Sequence, residues 1–402
     1  MIDSSVKKYH VILLLVLCCS FTRSQEYCYD IRNMKYEPHH FVDTIPLRCQ
    51  DNRIYVTLEI GGRKHEFLLD TGASLGDLYE GSGIEAKEML GEIRSVTDVT
   101  GVDQSGQIVS LPDFRIGKLL VNNYPIQLSP KKARDKVHGT IGFALFNKGI
   151  SAKIDAQNRI LVLTDIKGYF KKEGGFVLDY SLCRFTPQVT LGIADGWDEP
   201  AVFDTGNPQF FFMGVERWKE LCSYHNNAHS FILGQMKGIG IKGVHNVHTR
   251  DSIFFLQLPS LSWGTRKFSN VLTHTKSGIS NLGAALLNYG TVTIDPYKKR
   301  LVFQANHVNG TISPEASIRD VYFTRDDKDR PAVGFVTPKS ELYQYGFRDG
   351  DVVLSINRDI INNFAEFEKY LFVIGNRYTF KLKHPKGFIH EVSIIYRKGL
   401  IK

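Results

Sequence analysis

The sequence predicts a mainly β protein made of two related lobes around a cleft, followed by a small α+β domain. Three observations carry this expectation. A short apolar run ending in Asp-Thr-Gly occurs twice, as Phe67-Leu68-Leu69-Asp70-Thr71-Gly72-Ala73-Ser74 and as Ala201-Val202-Phe203-Asp204-Thr205-Gly206-Asn207. Each copy is followed by the same landmarks in the same order: a glycine flanked by apolar residues, then an Ile-Asp pair, then an arginine opening another apolar run. Beyond residue 305 the pattern changes, and a polar stretch leads into a segment of different character.

The spacing of the landmarks ties the two copies together. Asp70 to Gly142 is 72 residues and Asp204 to Gly283 is 79; from those glycines to Ile154-Asp155 and Ile294-Asp295 it is 12 and 11. An internal duplication of about 130 residues accounts for order and spacing at once.

Taken from the N-terminus, Lys7 and Lys8 precede the apolar run Val11 to Cys19 and then Ser20-Phe21-Thr22-Arg23-Ser24. A basic start, a short apolar stretch and small residues predict a signal peptide over 1–24. The chain is then expected to be exported: to a periplasm, a cell envelope or the medium. The run is short for a membrane span, although an uncleaved anchor is the alternative. Leu17 stands before Cys18 where lipid attachment wants a small residue, so membrane association is expected only if the chain is lipid-anchored. Four further cysteines, Cys28, Cys49, Cys183 and Cys222, permit two disulfides in an oxidising compartment. Cys28–Cys49 and Cys183–Cys222 are the local pairings among three connectivities.

Residues 25–45 read as an irregular lead-in. A first lobe is predicted over 46–170. Ile54 to Ile60 alternates as a strand, Gly61-Gly62 turns it, and His65 to Leu69 returns and ends at Asp70. A projecting hairpin is expected from Ser95 to Ser110 around Gly101 and Gly106. Strands follow at Phe114–Gly117, Tyr124–Ile126 and Gly139–Phe146, and Ile154-Asp155 and Arg159–Leu163 close the lobe around Ala156-Gln157-Asn158. The second lobe, 171–305, repeats this with a hairpin from Met236 to Phe255, Trp263-Gly264, Asn281–Leu287, and a closing pair around Pro296-Tyr297-Lys298. Val215, Trp218, Leu221 and Cys222 fall at helical spacing and predict one packing helix. Residues 306–318 form a turn-rich linker that contains the sequon Asn309-Gly310-Thr311.

In each lobe an apolar strand delivers a carboxylate to its end, and the glycine lets the backbone turn tightly beneath it. Two such carboxylates brought together cannot both ionise easily, so they share one proton. The ionised partner can take a proton from water while the protonated one donates to a carbonyl oxygen under attack. This chemistry calls for no metal and no cofactor. Asp70 and Asp204 are therefore the catalytic candidates. Thr71, Gly72 and Ala73, with Thr205, Gly206 and Asn207, form the loops that hold them. The hairpins would cover the cleft and grip an extended polypeptide substrate. A hydrophobic content of 43%, a net charge of +8 and the lack of a dense Lys/Arg block disfavour nucleic acid as a partner.

Asp-Thr-Gly-Ala-Ser and Asp-Thr-Gly-Asn, with Gly139-Thr140-Ile141-Gly142-Phe143 and Leu282-Gly283-Ala284-Ala285-Leu286, resemble the bilobal and retroviral-type aspartic proteases over residues 45–305. The resemblance implies acid-protease-like β-barrel lobes and endopeptidase activity through Asp70 and Asp204. Many bilobal members carry a hydroxyl after the glycine that favours the ionised carboxylate. Ala73 lacks it, as in retroviral-type enzymes, and Asn207 replaces it with an amide, so a pH optimum less acidic than that of stomach-type enzymes is expected. Residues 319–402, through Val333-Gly334-Phe335-Val336 and Tyr345-Gly346-Phe347-Arg348-Asp349-Gly350-Asp351-Val352-Val353-Leu354-Ser355-Ile356-Asn357, resemble a PDZ domain of exported bacterial proteases. That implies binding of a peptide ligand by strand addition, with a purely stabilising module as the alternative. The rival to an enzyme is a catalytically inactive peptide- or protein-binding relative, for which Asn207 followed by Pro208 is the main hint.

Other chemistries fit less well. Gly72-Ala73-Ser74-Leu75-Gly76 matches a serine-hydrolase elbow, but Gly76, Gly81 and Gly83 interrupt the helix that motif requires. His225 and His229, and His245 and His248, lack the glutamate of a zinc helix and read as surface residues. Asp326-Asp327-Lys328-Asp329 lacks calcium-loop spacing and reads as a solvated turn. Asp155 and Asp295 are expected to serve turns.

Overall fold

The computed structural model of the chain describes residues 31–97, 103–130, 137–193, 196–236, 252–307, 310–314, 318–397 and 400–401. The predicted signal peptide, Cys28, the expected tips of both hairpins with Gly101, Gly238, Gly240 and Gly243, His245, His248 and Asn309 lie outside these residues. Among the described residues no helix is long and apolar enough to cross a membrane.

The fold is mainly β and bilobal, as expected. In the first lobe Arg53–Ile60 alternates buried and outward residues and pairs with Arg63–Leu69. Gly139–Ile141 lies parallel to the latter, matching Ile141 with Leu69. The second lobe builds the same unit. Trp197–Asp204 lies parallel to Ser280–Gly283, with Phe203 opposite Leu282 and Asp204 opposite Gly283. Each aspartate thus leaves a buried strand braced by a parallel neighbour, which is why both segments read as short continuous apolar runs.

A shared platform joins the lobes. Ser151–Asp155 pairs with Gly290–Asp295 so that Ala152 faces Ile294 and Ile154 faces Val292, a pairing symmetric about Lys153 and Thr293. Ile160–Thr164 and Arg300–Ala305 flank this pair, and Val42–Pro46 and Phe176–Cys183 form the outer strands. Asp155 and Asp295 take the turn roles expected of them: Asp155 accepts from the Asn158 N–H at 2.9 Å, and Asp295 from the Tyr297 N–H at 3.1 Å. Residues 25–45 are not an irregular lead-in where described. Lys35–Glu37 pairs with Leu119–Asn122, and Val42–Pro46 fills the platform edge. Only Ile45 is buried in that outer strand, so the sequence shows none of the alternation that would have marked it.

The first hairpin consists of Glu88–Thr97 paired with Asp103–Leu111, beginning seven residues ahead of its expected start at Ser95. In the second lobe Ile232–Met236 pairs with Ile253–Trp263. The predicted helix spans Val215–Tyr224 and buries Val215, Trp218 and Leu221. His225 lies just past its end and His229 sits in the separate turn Ala228–Phe231, so the two do not share a helical face. Among the described residues Cys49, Cys183 and Cys222 form no disulfide, and the expected Cys28–Cys49 pair lies outside them with Cys28. The expected Cys183–Cys222 pair does not form because Cys183 ends a platform strand. Cys222 belongs to a helix packed on Phe211–Gly214, Arg266–Lys276 and Ala228–Phe231.

The C-terminal sheet runs in the order Val321–Arg325, Pro331–Val336, Val352–Ile356, Arg377–Lys383, Ile389–Ile395, with two short helices, Glu341–Tyr345 and Phe364–Lys369. Ser340 and Asn363 cap these helices by accepting the Tyr343 and Glu366 N–H groups. Asp326 accepts from the Lys328 and Arg330 N–H groups, as a turn carboxylate should. The domain has its own core around Val353, Phe347 and Phe380. A separate apolar cluster of Met236, Ile253, Phe255, Ile318 and Phe335 joins it to the second lobe, with the Phe255 and Phe335 rings stacked at 3.7 Å.

His274 lies beside this junction, buried against Phe212, Phe255 and Tyr322. Burial, reinforced by Arg319 and Lys276 and opposed by a contact to the Thr275 carbonyl, pushes its pKa down to about 4. The unfolded chain, titrating near the ordinary histidine value of about 6.5, then binds more protons than the folded chain as pH falls between these values. His274 should therefore lower stability by about 3 kcal/mol between pH ~6.5 and ~4. Thermal unfolding across that range should show a drop that His274→Phe flattens. Phe335→Ala removes half of the ring stack and should weaken the junction by about 3–5 kcal/mol. Limited proteolysis should then cut between the second lobe and the C-terminal domain faster than in wild type.

Candidate active site

The two Asp-Thr-Gly loops meet face to face. The Thr71 N–H donates to Thr205 Oγ1 at 3.0 Å, and the Thr205 N–H donates to Thr71 Oγ1 at 3.0 Å. Each hydroxyl in turn donates across to the opposite strand, Thr71 Oγ1 to the Phe203 carbonyl at 2.6 Å and Thr205 Oγ1 to the Leu69 carbonyl at 2.7 Å. Both threonines are fully buried. Four hydrogen bonds related by an approximate two-fold axis therefore lock the lobes together directly beneath the aspartates.

The carboxylates are held alike. Asp70 Oδ1 accepts the Gly72 N–H at 2.9 Å and the Ala73 N–H at 3.1 Å; Asp204 Oδ1 accepts the Gly206 N–H at 2.9 Å and the Asn207 N–H at 3.1 Å. A Cβ on Gly72 would collide with the Asp204 carboxyl, and one on Gly206 with that of Asp70. Glycine is obligatory here because the opposite aspartate occupies the space a side chain would need.

The second landmark supports each loop from behind. The Phe143 N–H donates to the Ala73 carbonyl at 2.8 Å, and the Ala284 N–H to the Asn207 carbonyl at 2.8 Å. Gly142 and Gly283 pass so close to these loops that a Cβ would strike backbone atoms of Ala73 or Leu75 in one lobe and of Asn207 or Gln209 in the other. That contact is the physical reason for an apolar-flanked glycine at a fixed distance downstream of each aspartate.

The carboxyls of Asp70 and Asp204 are near neighbours, since each faces the glycine of the opposite loop. Burial, then the neighbouring Asp204 and more weakly Asp77, push the Asp70 pKa well above the usual carboxylate range.

The six loop residues proposed from sequence all sit in this assembly. Asn207 does not play the part expected of its amide. Its Oδ1 accepts the Gln209 N–H at 3.0 Å in a local turn, and its backbone N–H, not its side chain, touches Asp204. Sequence reading missed Asn281, whose Nδ2 donates to Asp204 Oδ2 at 2.7 Å. The signal was a polar residue inside the short run before Gly283, at the place where the first copy has Thr140. Ser74 is followed by bends and then the strand Asp77–Tyr79, so the helix a nucleophile elbow requires does not form. Among the described residues no group of three His, Cys, Asp or Glu side chains is placed to hold a metal ion.

No family model and no curated protein matches the sequence. Among solved structures, the chain is similar to the aspartic proteinase from Irpex lacteus at 13% identity and a TM-score of 0.43, covering 67% of this chain and 99% of that one. It is similar to basic 7S globulin from soybean at 9% identity and a TM-score of 0.40, covering 68% and 98%.

Thr71→Val would leave the Phe203 carbonyl and the Thr205 N–H buried without partners. It should cost about 2–4 kcal/mol in urea unfolding, whereas Thr71→Ser, which keeps the hydroxyl, should retain most of that stability.

Proposed function

We propose that the chain is an aspartic endopeptidase that hydrolyses peptide bonds with a water activated between Asp70 and Asp204. The observation that supports this most directly is the paired geometry: two carboxyls, each facing the opposite loop's glycine and fixed by two backbone N–H donors, over a two-fold set of threonine hydrogen bonds. The raised pKa of Asp70 makes it the group that keeps the proton and donates it to the carbonyl oxygen. Asp204, the more heavily hydrogen-bonded, is the base that takes a proton from water. The tetrahedral carbon then collapses as the amide nitrogen is protonated and leaves. Substrates on this reading are extended polypeptides.

The reading extends to an exported protein, on the strength of Lys7, Lys8 and the apolar run after them. The C-terminal domain is proposed as PDZ-like. Its outer strand Val321–Arg325 is paired on one side only among the described residues, which suits addition of a peptide strand.

Asp70→Asn and Asp204→Asn should each lower kcat/KM on a peptide library by about 10³-fold or more. If neither substitution lowers turnover, the two-aspartate mechanism is wrong. If wild type binds peptides but cleaves none, the inactive-relative reading replaces it. Activity should fall on the alkaline side as Asp70 loses its proton. With the Asp70 pKa raised, the pH–rate profile should peak above about pH 3; a peak below that value counts against the assignment.

A further inference from the structure

The two halves of the aspartate pair are matched in their backbone donors and differ in one side chain. Gly139-Thr140-Ile141-Gly142 and Ser280-Asn281-Leu282-Gly283 are equivalent segments, each parallel to the strand that carries an aspartate. In the first lobe Thr140 turns to Asp77, accepting its N–H at 2.8 Å and donating to Oδ2 at 3.2 Å. In the second lobe the equivalent Asn281 reaches the catalytic candidate itself, donating from Nδ2 to Asp204 Oδ2 at 2.7 Å. Asp204 therefore accepts three N–H donors on its two oxygens, while Asp70 accepts two on one oxygen.

Asn281 is held firmly for this task. It is buried, and the preceding Ser280 is anchored on both sides. Ser280 Oγ accepts the Gly214 N–H at 2.7 Å and donates to Glu199 Oε1 at 2.5 Å. Glu199, itself fully buried, is fixed by Trp197 Nε1 at 2.9 Å and Arg217 Nε at 3.2 Å. The charged groups around the pair are therefore Asp77 on the side of Asp70, and Glu199 with Arg217 behind Ser280.

We infer that Asn281 is a positioning residue that holds the negative charge of the pair on Asp204 and the shared proton on Asp70. A hydrogen bond to a buried carboxylate favours its ionised form, and the first lobe has no counterpart because Thr140 serves Asp77. At Asp204 the loop hydroxyl that Asn207 lacks is thus replaced by an amide from the neighbouring strand. The consequence for turnover rests on the endopeptidase reading above; the effect on the pair's titration does not.

The test follows the aspartate carboxyl carbons by 13C NMR across pH in the full chain, with assignments from Asp70→Asn and Asp204→Asn, alongside the pH dependence of kcat/KM. Asn281→Leu keeps the volume and removes the donor. Asn281→Thr installs the residue the first lobe carries and serves if the leucine variant fails to fold. The lower apparent pKa of the pair should rise by about one pH unit or more in either variant, and the acid limb of the kcat/KM profile should move up with it. An unchanged lower pKa in a folded variant overturns the inference. If wild type hydrolyses no peptide at any pH, the endopeptidase reading fails while the titration still decides the role of Asn281.

Discussion

The reciprocal hydrogen bonds between Thr71 and Thr205 are the constraint on which the rest of the molecule depends. Each threonine uses its hydroxyl twice, accepting a backbone N–H and donating to a backbone carbonyl across the lobe boundary. In a fully buried setting such bonds are strong, and leaving any one unmade is costly. They set the separation of the two loops, so the aspartates one residue upstream can only lie close together. The glycines one residue downstream follow from the same fact, since each faces the opposite carboxyl. The platform strands Ser151–Asp155 and Gly290–Asp295 repeat the two-fold relation elsewhere in the chain. Two independent symmetric interfaces thus hold one geometry.

On this frame the differences between the halves become the informative feature. Backbone donors to the two carboxylates lie at the same distances, 2.9 and 3.1 Å in each lobe, so the departure at Asn207 leaves the loop that carries Asp204 in the same shape as its partner. What distinguishes the halves is the amide of Asn281 on one side and the Asp77 carboxylate on the other. Both push in one direction: the donor favours charge on Asp204, and the nearby carboxylate disfavours it on Asp70. The two lobes share one architecture, and on the proposed reading the substitutions between them divide the roles of acid and base.

Much of this was readable in the sequence because it rests on backbone sterics. Asp-Thr-Gly is dictated by a strand end, a buried hydroxyl and a collision with the opposite carboxyl. Gly142 and Gly283 are dictated by contact with the loop behind. Such requirements leave little choice of residue, so they recur at fixed spacing in both halves. The outer strand Val42–Pro46 was hidden because an edge strand buries little and need not alternate. Cys183 and Cys222 looked like a pair only because they neighbour each other in the residual cysteine count, which carries no information on whether a platform strand and a helix meet. Asn281 escaped because its role depends on where its side chain points across a parallel pairing, and the periodicity of the run reports burial and not direction. The junction formed by Phe255 and Phe335 escaped for a similar reason: it joins residues 80 positions apart that belong to the second lobe and the C-terminal domain.

On the proposed reading Asp70 and Asp204 act as one acid–base pair on a tetrahedral centre. This is tested most directly by measuring affinity for a peptide that carries a secondary hydroxyl in place of the scissile carbonyl, against the same peptide with a methylene there. The wild-type chain should prefer the hydroxyl peptide by about 100-fold or more, as a site built for the tetrahedral species does, and Asp204→Asn should lose this preference. Equal affinity for the two peptides in the wild-type chain would contradict it.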